Sequence, residues 1–161
     1  MEPGRLRFDT WTIGLEMEQV TGKKAYRPQE VVSEGVAQFR RLLDELPAGA
    51  YTCDADGLIT YYNRQAVALW GREPRLNDPT ERFTGSFRLY APDGTLLAPD
   101  QSWMARAIRE REEFSAREVV IETPDGRRRI ALAHISPMFD GDGRFVGALN
   151  VLADITSQKA A

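Results

Sequence analysis

Four turns that each carry an Asp-Gly pair, Asp56-Gly57, Asp93-Gly94, Asp125-Gly126 and Asp142-Gly143, stand between apolar or alternating runs and restrict what this chain can become. Asp-Gly in that setting is a hairpin signal, because both residues accept positive φ. The first pair joins "AYTCD" to "LITYYN", the third joins "REVVIET" to "RRRIALAHIS", and the fourth joins that strand to "RFVGALNVLAD". The last three strands therefore read as an antiparallel meander. The second pair gives a brief hairpin, "FRLYAPDGTLL", inside a stretch from 72 to 97 that is otherwise loops and short helical turns.

Helices account for most of the remainder. In "EVVSEGVAQFRRLLDEL" the residues Val32, Val36, Phe39, Leu43 and Leu46 recur at gaps of four and three, a narrow stripe suited to helix pairing, and Pro47 stops the pattern. "RQAVALWG" reads as a short helix closed by Gly71. Asp100 is placed to cap "QSWMARAIRERE", where Trp103, Met104, Ala107 and Ile108 share one face. In the first 27 residues Trp11, Ile13, Leu15 and Met17 alternate, and a docked edge strand and a loose leader both stay open. The order helix, two strands, helices, three strands describes an α+β domain.

Composition excludes several functions. The net charge of -3 offers no basic excess for nucleic acid, and "GRRRI", with Arg127, Arg128 and Arg129, is a solvated strand start without stacking aromatics. Cys53 is the sole cysteine, so the chain forms no internal disulfide and no multi-cysteine metal site. The longest apolar stretch, "FVGAL", is too short to span a bilayer, and the first residues lack a signal-peptide core. A reducing, cytoplasmic setting with no membrane contact by this segment is the expectation. Asp54 and Asp56 shape their turn. A calcium loop numbered on Gly57 would put Thr52 first and Asn63 twelfth, which is the wrong ligand set.

Two stretches, in this order, carry a family resemblance. "YTCDADGLITYYNRQAVALWG" runs strand, turn, strand, Asn63 and helix. "TPDGRRRIALAHISPMFDGDGRFVGALNVLADITSQK" contains Pro137, Gly147 and the closing Asp154-Ile155-Thr156. From about Phe39 to Lys159 the chain resembles the PAS (Per-Arnt-Sim) sensor domain. The resemblance implies a five-stranded antiparallel sheet, strand order 2-1-5-4-3, with helices on one face enclosing a small cavity. It divides the chain into an extension (1–29), a flanking helix (30–46), the sensor domain (47–156) and the start of an output helix (157–161).

Strand alternation then assigns faces. By resemblance the side of Tyr51 and Cys53 lies under the helices. Val119 and Ile121 would join it from the third strand of the set, Ala131 and Ala133 from the fourth, and Leu149 and Val151 from the fifth. Trp70, Phe87, Trp103, Met104 and Ile108 would face them from the helical side. These residues either line a pocket for a small, mostly apolar ligand or simply pack one another.

The resemblance names no cofactor. Haem-binding relatives use a histidine on the helix before the third strand, whereas His134 lies on a strand. Photosensors of the LOV type use a cysteine in an Asn-Cys-Arg motif, which is absent; Cys53 reads as a small buried apolar residue. The second functional reading is a small cavity enzyme of the ketosteroid-isomerase-like kind, which needs a carboxylate or a His–Asp pair inside. For a sensor, the resemblance makes Asp154, Ile155 and Thr156 the exit toward an effector, a histidine kinase or cyclic-dinucleotide enzyme lying beyond this chain. It also makes the Val32–Leu46 stripe the interface of a homodimer.

Overall fold

A computed structural model describes residues 6–7 and 28–160. Its elements in chain order are β1 (Leu6–Arg7), α1 (Pro28–Glu45), β2 (Gly49–Asp54), β3 (Ile59–Tyr62), α2 (Arg64–Trp70), β4 (Arg88–Tyr90), β5 (Leu96–Leu97), α3 (Trp103–Glu110), β6 (Phe114–Glu122), β7 (Arg128–Phe139), β8 (Phe145–Asp154) and α4 (Thr156–Ala160). The expected edge strand around Trp11–Met17 lies outside the described residues.

One sheet runs β3-β2-β8-β7-β6-β4-β5, and β1 pairs parallel with the end of β7, Leu6 opposite Met138. Its first five members reproduce the expected order of two early strands and a three-strand meander. The β4–β5 hairpin, expected as a loop feature, joins the sheet by pairing Leu89 with Ile121 of β6 and so extends the five strands. The first and last strands of the central set lie side by side, with Cys53 opposite Ala148 and Tyr51 opposite Asn150.

The four turns named above are of one kind. Asp54, Ala91, Thr123 and Asp140 each donate a backbone N–H to the carbonyl four residues on, and the glycine N–H returns to their own carbonyl. The expectation that both residues of each pair take positive φ does not hold. Only the glycines do (Gly57 +86°, Gly94 +91°, Gly126 +89°, Gly143 +80°), as a type I turn followed by a left-handed residue requires. Side chains hold the turns as well: Asp93 Oδ1 accepts from Thr95 N–H (2.9 Å) and Thr123 Oγ1 from Arg127 N–H (3.2 Å), and in the other two a single carboxylate oxygen accepts two bonds. Asp54 Oδ1 accepts from the N–H groups of Asp56 (2.9 Å) and Leu58 (3.0 Å), and Asp140 Oδ1 does the same for Asp142 and Arg144 (both 2.9 Å). These carboxylates are therefore occupied within their own loops.

The helices begin and end where local chemistry allows. Asn63 caps α2 by accepting from Ala66 N–H, and Gly71 closes it in the left-handed region. Ser102, rather than Asp100, caps α3: Pro99–Gln101 form a 3-10 turn, so the α-helix starts only at Trp103 and the preceding hydroxyl accepts from Ala105 N–H.

Two cores result, one on each side of the sheet. In front, α2 and α3 bring Ala66, Leu69, Trp70, Met104, Ala107 and Ile108 onto Tyr51, Cys53, Val119, Ile121, Ala131, Ala133 and Ile135. Behind, Phe39 and Leu43 of α1 and Leu46 just past its end pack on Ala50, Tyr61, Met138, Leu149 and Val151. Leu43 is 5% exposed, and burying such a side chain contributes roughly 1.5–3 kcal/mol. Phe39, Leu43 and Leu46 of the five-residue stripe are thus covered by the protein's own sheet, while the side chain of Val32 lies outside the described residues.

Candidate functional site

The site begins at β2. Alternation along "GAYTCD" turns Tyr51 and Cys53 toward the helices, and register with β8 brings Asn150 beside Tyr51. Asn150 Nδ2 donates to the Tyr51 hydroxyl (3.3 Å), which donates onward to the Phe83 carbonyl (2.7 Å). The Trp70 ring stands edge-on to Tyr51 at 5.0 Å between centroids and to Tyr62 at 5.8 Å.

The segment after α2 folds over that indole. A Cβ on Gly85 would come within 2.5 Å of the Trp70 ring, so only glycine allows this close approach. Arg72 fixes the loop, donating Nη1 to the Gly85 carbonyl (2.8 Å) and pairing with the Glu81 carboxylate. Tyr62 reaches over to donate its hydroxyl to the Pro74 carbonyl (2.9 Å). Thr84 and Ser86 share a hydrogen bond (2.8 Å) at the inner surface of the same segment.

Between these parts lies a cavity with room of about 20 Å³ for the centre of a water-sized sphere. The sheet contributes Tyr51, Leu89, Val119, Ile121, Ala133, Asn150 and Leu152, and the helical side contributes Trp70, Thr84, Ser86, Ser102, Trp103 and Met104. No carboxylate, histidine, lysine or arginine stands among them. Burial pushes the Tyr51 hydroxyl far above its ordinary value, and the nearby Cys53 reinforces it. Burial likewise pushes up the Cys53 thiol, followed by the charge of Asp54. The interior therefore disfavours anions.

Sequence reasoning met this site in part. Tyr51, Trp70, Trp103, Met104, Val119, Ile121 and Ala133 line the cavity, while Cys53, Ile108 and Ala131 sit in the same core away from it. Phe87, expected inside, is 48% exposed under the Arg88 guanidinium; it precedes β4, so the strand alternation that turns Leu89 inward does not hold its side chain. Leu149 and Val151, expected on the same face as Tyr51, belong to the rear core beneath α1. The register explains this: Ala148, Asn150 and Leu152 stand opposite Cys53, Tyr51 and Gly49 and share their face. Since β8 is covered on both sides, its apolar run carries no alternation to read. Asn150 was the available signal, the one amide in "FVGALNVLAD".

Trp103 also forms one wall of an outer groove of about 360 Å³, bounded by Leu97, Gln101, Arg106 and Arg117. The guanidiniums of Arg117 and Arg106 lie 4.6 and 5.3 Å from its ring centre. At the far end of β8, Asp154 Oδ1 accepts from Thr156 N–H (2.9 Å), Thr156 Oγ1 accepts from Ile130 N–H (2.9 Å), and Ile155 N–H donates to the Ile130 carbonyl (2.8 Å). The expected exit corner is thus bonded to the start of β7, and Lys159 pairs with Glu118 of β6 (3.1 Å).

Neither haem nor a photoactive flavin fits the residues present. His134 is exposed on the rear face, where its Nδ1 accepts from Ala116 N–H (3.2 Å). Cys53 is 1% exposed on the sheet and does not line the cavity. Among the described residues there is no cluster of three metal-binding side chains, and no helix is long and apolar enough to cross a membrane.

A family model described as "PAS fold" matches residues 43–160. No curated protein matches the chain. Among solved structures, the PAS domain of a protein from Colwellia psychrerythraea is similar at 20% identity and a TM-score of 0.54, over 76% of this chain and 98% of that one. The PAS domain of the fruit-fly ELK potassium channel is similar at 20% identity and 0.55, over 75% and 97%. The LOV domain of a blue-light-activated histidine kinase from Erythrobacter litoralis is similar at 20% identity and 0.50, over 70% and 99%.

Proposed function

This chain belongs to the PAS-fold family, and from that premise we propose that it is a cytoplasmic sensory module that takes a small, mostly apolar ligand and relays its presence to an effector. The observation that carries the reading is the cavity among Tyr51, Trp70 and Met104, lined mostly by apolar side chains and by no charged one. Ligand binding alters output only through unequal affinity for two states of the protein. The parts that would differ are the loop over Trp70 and the Asp154-Ile155-Thr156 corner, which passes the chain into α4.

The effector we propose is a histidine kinase or a cyclic-dinucleotide enzyme; the histidine-kinase origin of one similar LOV domain supports this choice. We place a homodimer on α1, on the side where Leu42 is 58% exposed. The domain then spans 47–156, with 1–29 as an extension, 30–46 as the flanking helix and 157–161 opening the output helix. No observation favours the cavity enzyme, since the lining offers no carboxylate or histidine for proton transfer.

Native mass spectrometry of the freshly purified protein, with an absorption spectrum, tests the ligand reading. A small non-covalent mass that leaves on denaturation supports it. A bare protein that no member of a fragment library stabilises against heat overturns it.

A further inference from the structure

Among the described residues, two buried side-chain polar atoms have no hydrogen-bond partner, Trp70 Nε1 and Asn150 Oδ1. Trp70 is 0% and Asn150 5% exposed, and both residues line the same cavity. One atom is a donor and the other an acceptor. Leaving either unsatisfied in a dry interior is unfavourable, so a single occupant that answers both is strongly selected. The remaining polar groups near it are engaged: Tyr51 with Phe83, Thr84 with Ser86, Ser102 with Pro99.

Resting on the reading that this cavity takes a small ligand, we propose that it contains a subsite for one uncharged hydroxyl group, which makes the ligand an alcohol or a phenol. A hydroxyl donates once and accepts through two lone pairs, so it serves Asn150 Oδ1 and the Trp70 indole N–H together. A hydrocarbon serves neither. A carboxylate accepts but does not donate, and it would stand against Asn150 Oδ1 where no cationic side chain lines the wall. An ammonium donates but leaves the indole unpaired. Room of about 20 Å³ exceeds by little the roughly 10–15 Å³ that one water requires, which is the scale of a hydroxyl head. The attached carbon skeleton meets Leu89, Met104, Val119 and Ile121. Met104, unbranched and 1% exposed, is the side chain best able to give way. The raised Tyr51 and Cys53 groups describe the same environment, one that rejects negative charge.

Water has the same hydrogen-bonding chemistry, so the test must separate it from a ligand hydroxyl. Phenol, toluene and benzoate, close in size, are titrated into the 15N-labelled full chain while the Trp70 indole N–H resonance is followed. Phenol is expected to shift that resonance saturably, with a dissociation constant about tenfold below that of toluene, and benzoate to give no saturable shift. Asn150→Leu should bring phenol to the level of toluene. Should that variant fail to fold, Trp70→Phe, followed by calorimetry, removes the donor together with part of the ring; the added space serves phenol and toluene alike, so the preference between them should still be erased. Toluene or benzoate binding as tightly as phenol overturns the hydroxyl subsite and leaves the ligand cavity standing. Failure of all three probes to bind overturns the hydroxyl subsite, while the ligand reading stands or falls on the mass-spectrometric and fragment-library test.

Discussion

Asn63 Nδ2 donates to the Leu43 carbonyl at 2.8 Å, joining the cap of α2 to the last turn of α1. The same amide donates to the Ala48 carbonyl (2.9 Å) and accepts from Ala50 and Ala66 N–H (both 2.9 Å). All four bonding positions of one buried side chain are filled, and they reach both cores. Asn63→Ala should therefore cost about 3 kcal/mol, combining a lost cap with unsatisfied backbone groups. Urea unfolding measures the loss, and limited proteolysis should show α1 released from the sheet first.

Two adjacent leucines of α1 separate folding from association. Leu43 is buried on the rear face and Leu42 is exposed. Leu43→Glu places a charge in the rear core and should destabilise the fold by about 3 kcal/mol. Leu42→Glu should leave the packing of the monomer intact, convert a dimer to monomers in sedimentation velocity, and lower the melting temperature only by the lost contribution of association. A wild-type protein that sediments as a monomer at tens of micromolar removes the dimer from the proposal.

Gly147 holds φ of +147°, and a Cβ there would lie 2.0 Å from the Cys53 carbonyl oxygen. That neighbour is backbone of the central strand and cannot turn aside. Gly147→Ala should destabilise by more than about 3 kcal/mol. Gly94 has φ of +91° with open space around it, so Gly94→Ala should cost only about 1–2 kcal/mol, the left-handed penalty alone. Thermal melts of the two variants give the comparison directly.

Acid should loosen the loop over Trp70. Burial pushes the Glu81 carboxyl up, but hydrogen bonds from Arg72 and from Arg75 N–H, with the Arg72 charge, outweigh it and hold the group below its ordinary 4.5. A depressed carboxyl contributes stability above the unfolded value and loses it as pH falls through the folded one. The difference in stability between the wild type and Glu81→Gln should therefore be full above about pH 4.5 and shrink below it. Denaturant midpoints measured from pH 7 to pH 3 check the sign.

Cys53 should be silent in the folded protein. The buried thiol is held above its ordinary range, so little thiolate forms and no path reaches it. Reaction with a chromogenic disulfide should follow the rate of opening of the front core, rising with denaturant.

The hairpins and the meander were legible because turn chemistry is local: Asp54 and Asp140 bond their own loops, and each glycine supplies the left-handed residue. The α1 stripe was legible as a stripe, but what covers it was not, since a partner helix and the rear of the sheet demand the same Phe39, Leu43 and Leu46. The interior of the site was read least well. Thr84 and Ser86 reach it through an irregular loop placed by the Arg72–Glu81 pair, a contact without periodicity. Asn150 was hidden by the opposite difficulty, a regular strand buried on both faces, where parity is fixed only by its partner β2.

The central place of the β2–β8 pair has a kinetic side. Tyr51 and Asn150 meet across 99 residues of chain, and no shorter-range pairing can stand in for them in the middle of the sheet. Closing so large a loop before its contacts are rewarded slows folding, as it does wherever distant strands must find each other. During synthesis the domain cannot complete its sheet until β8 has left the ribosome. Until then β2 presents one unpaired edge, and the short-range hairpins wait beside it.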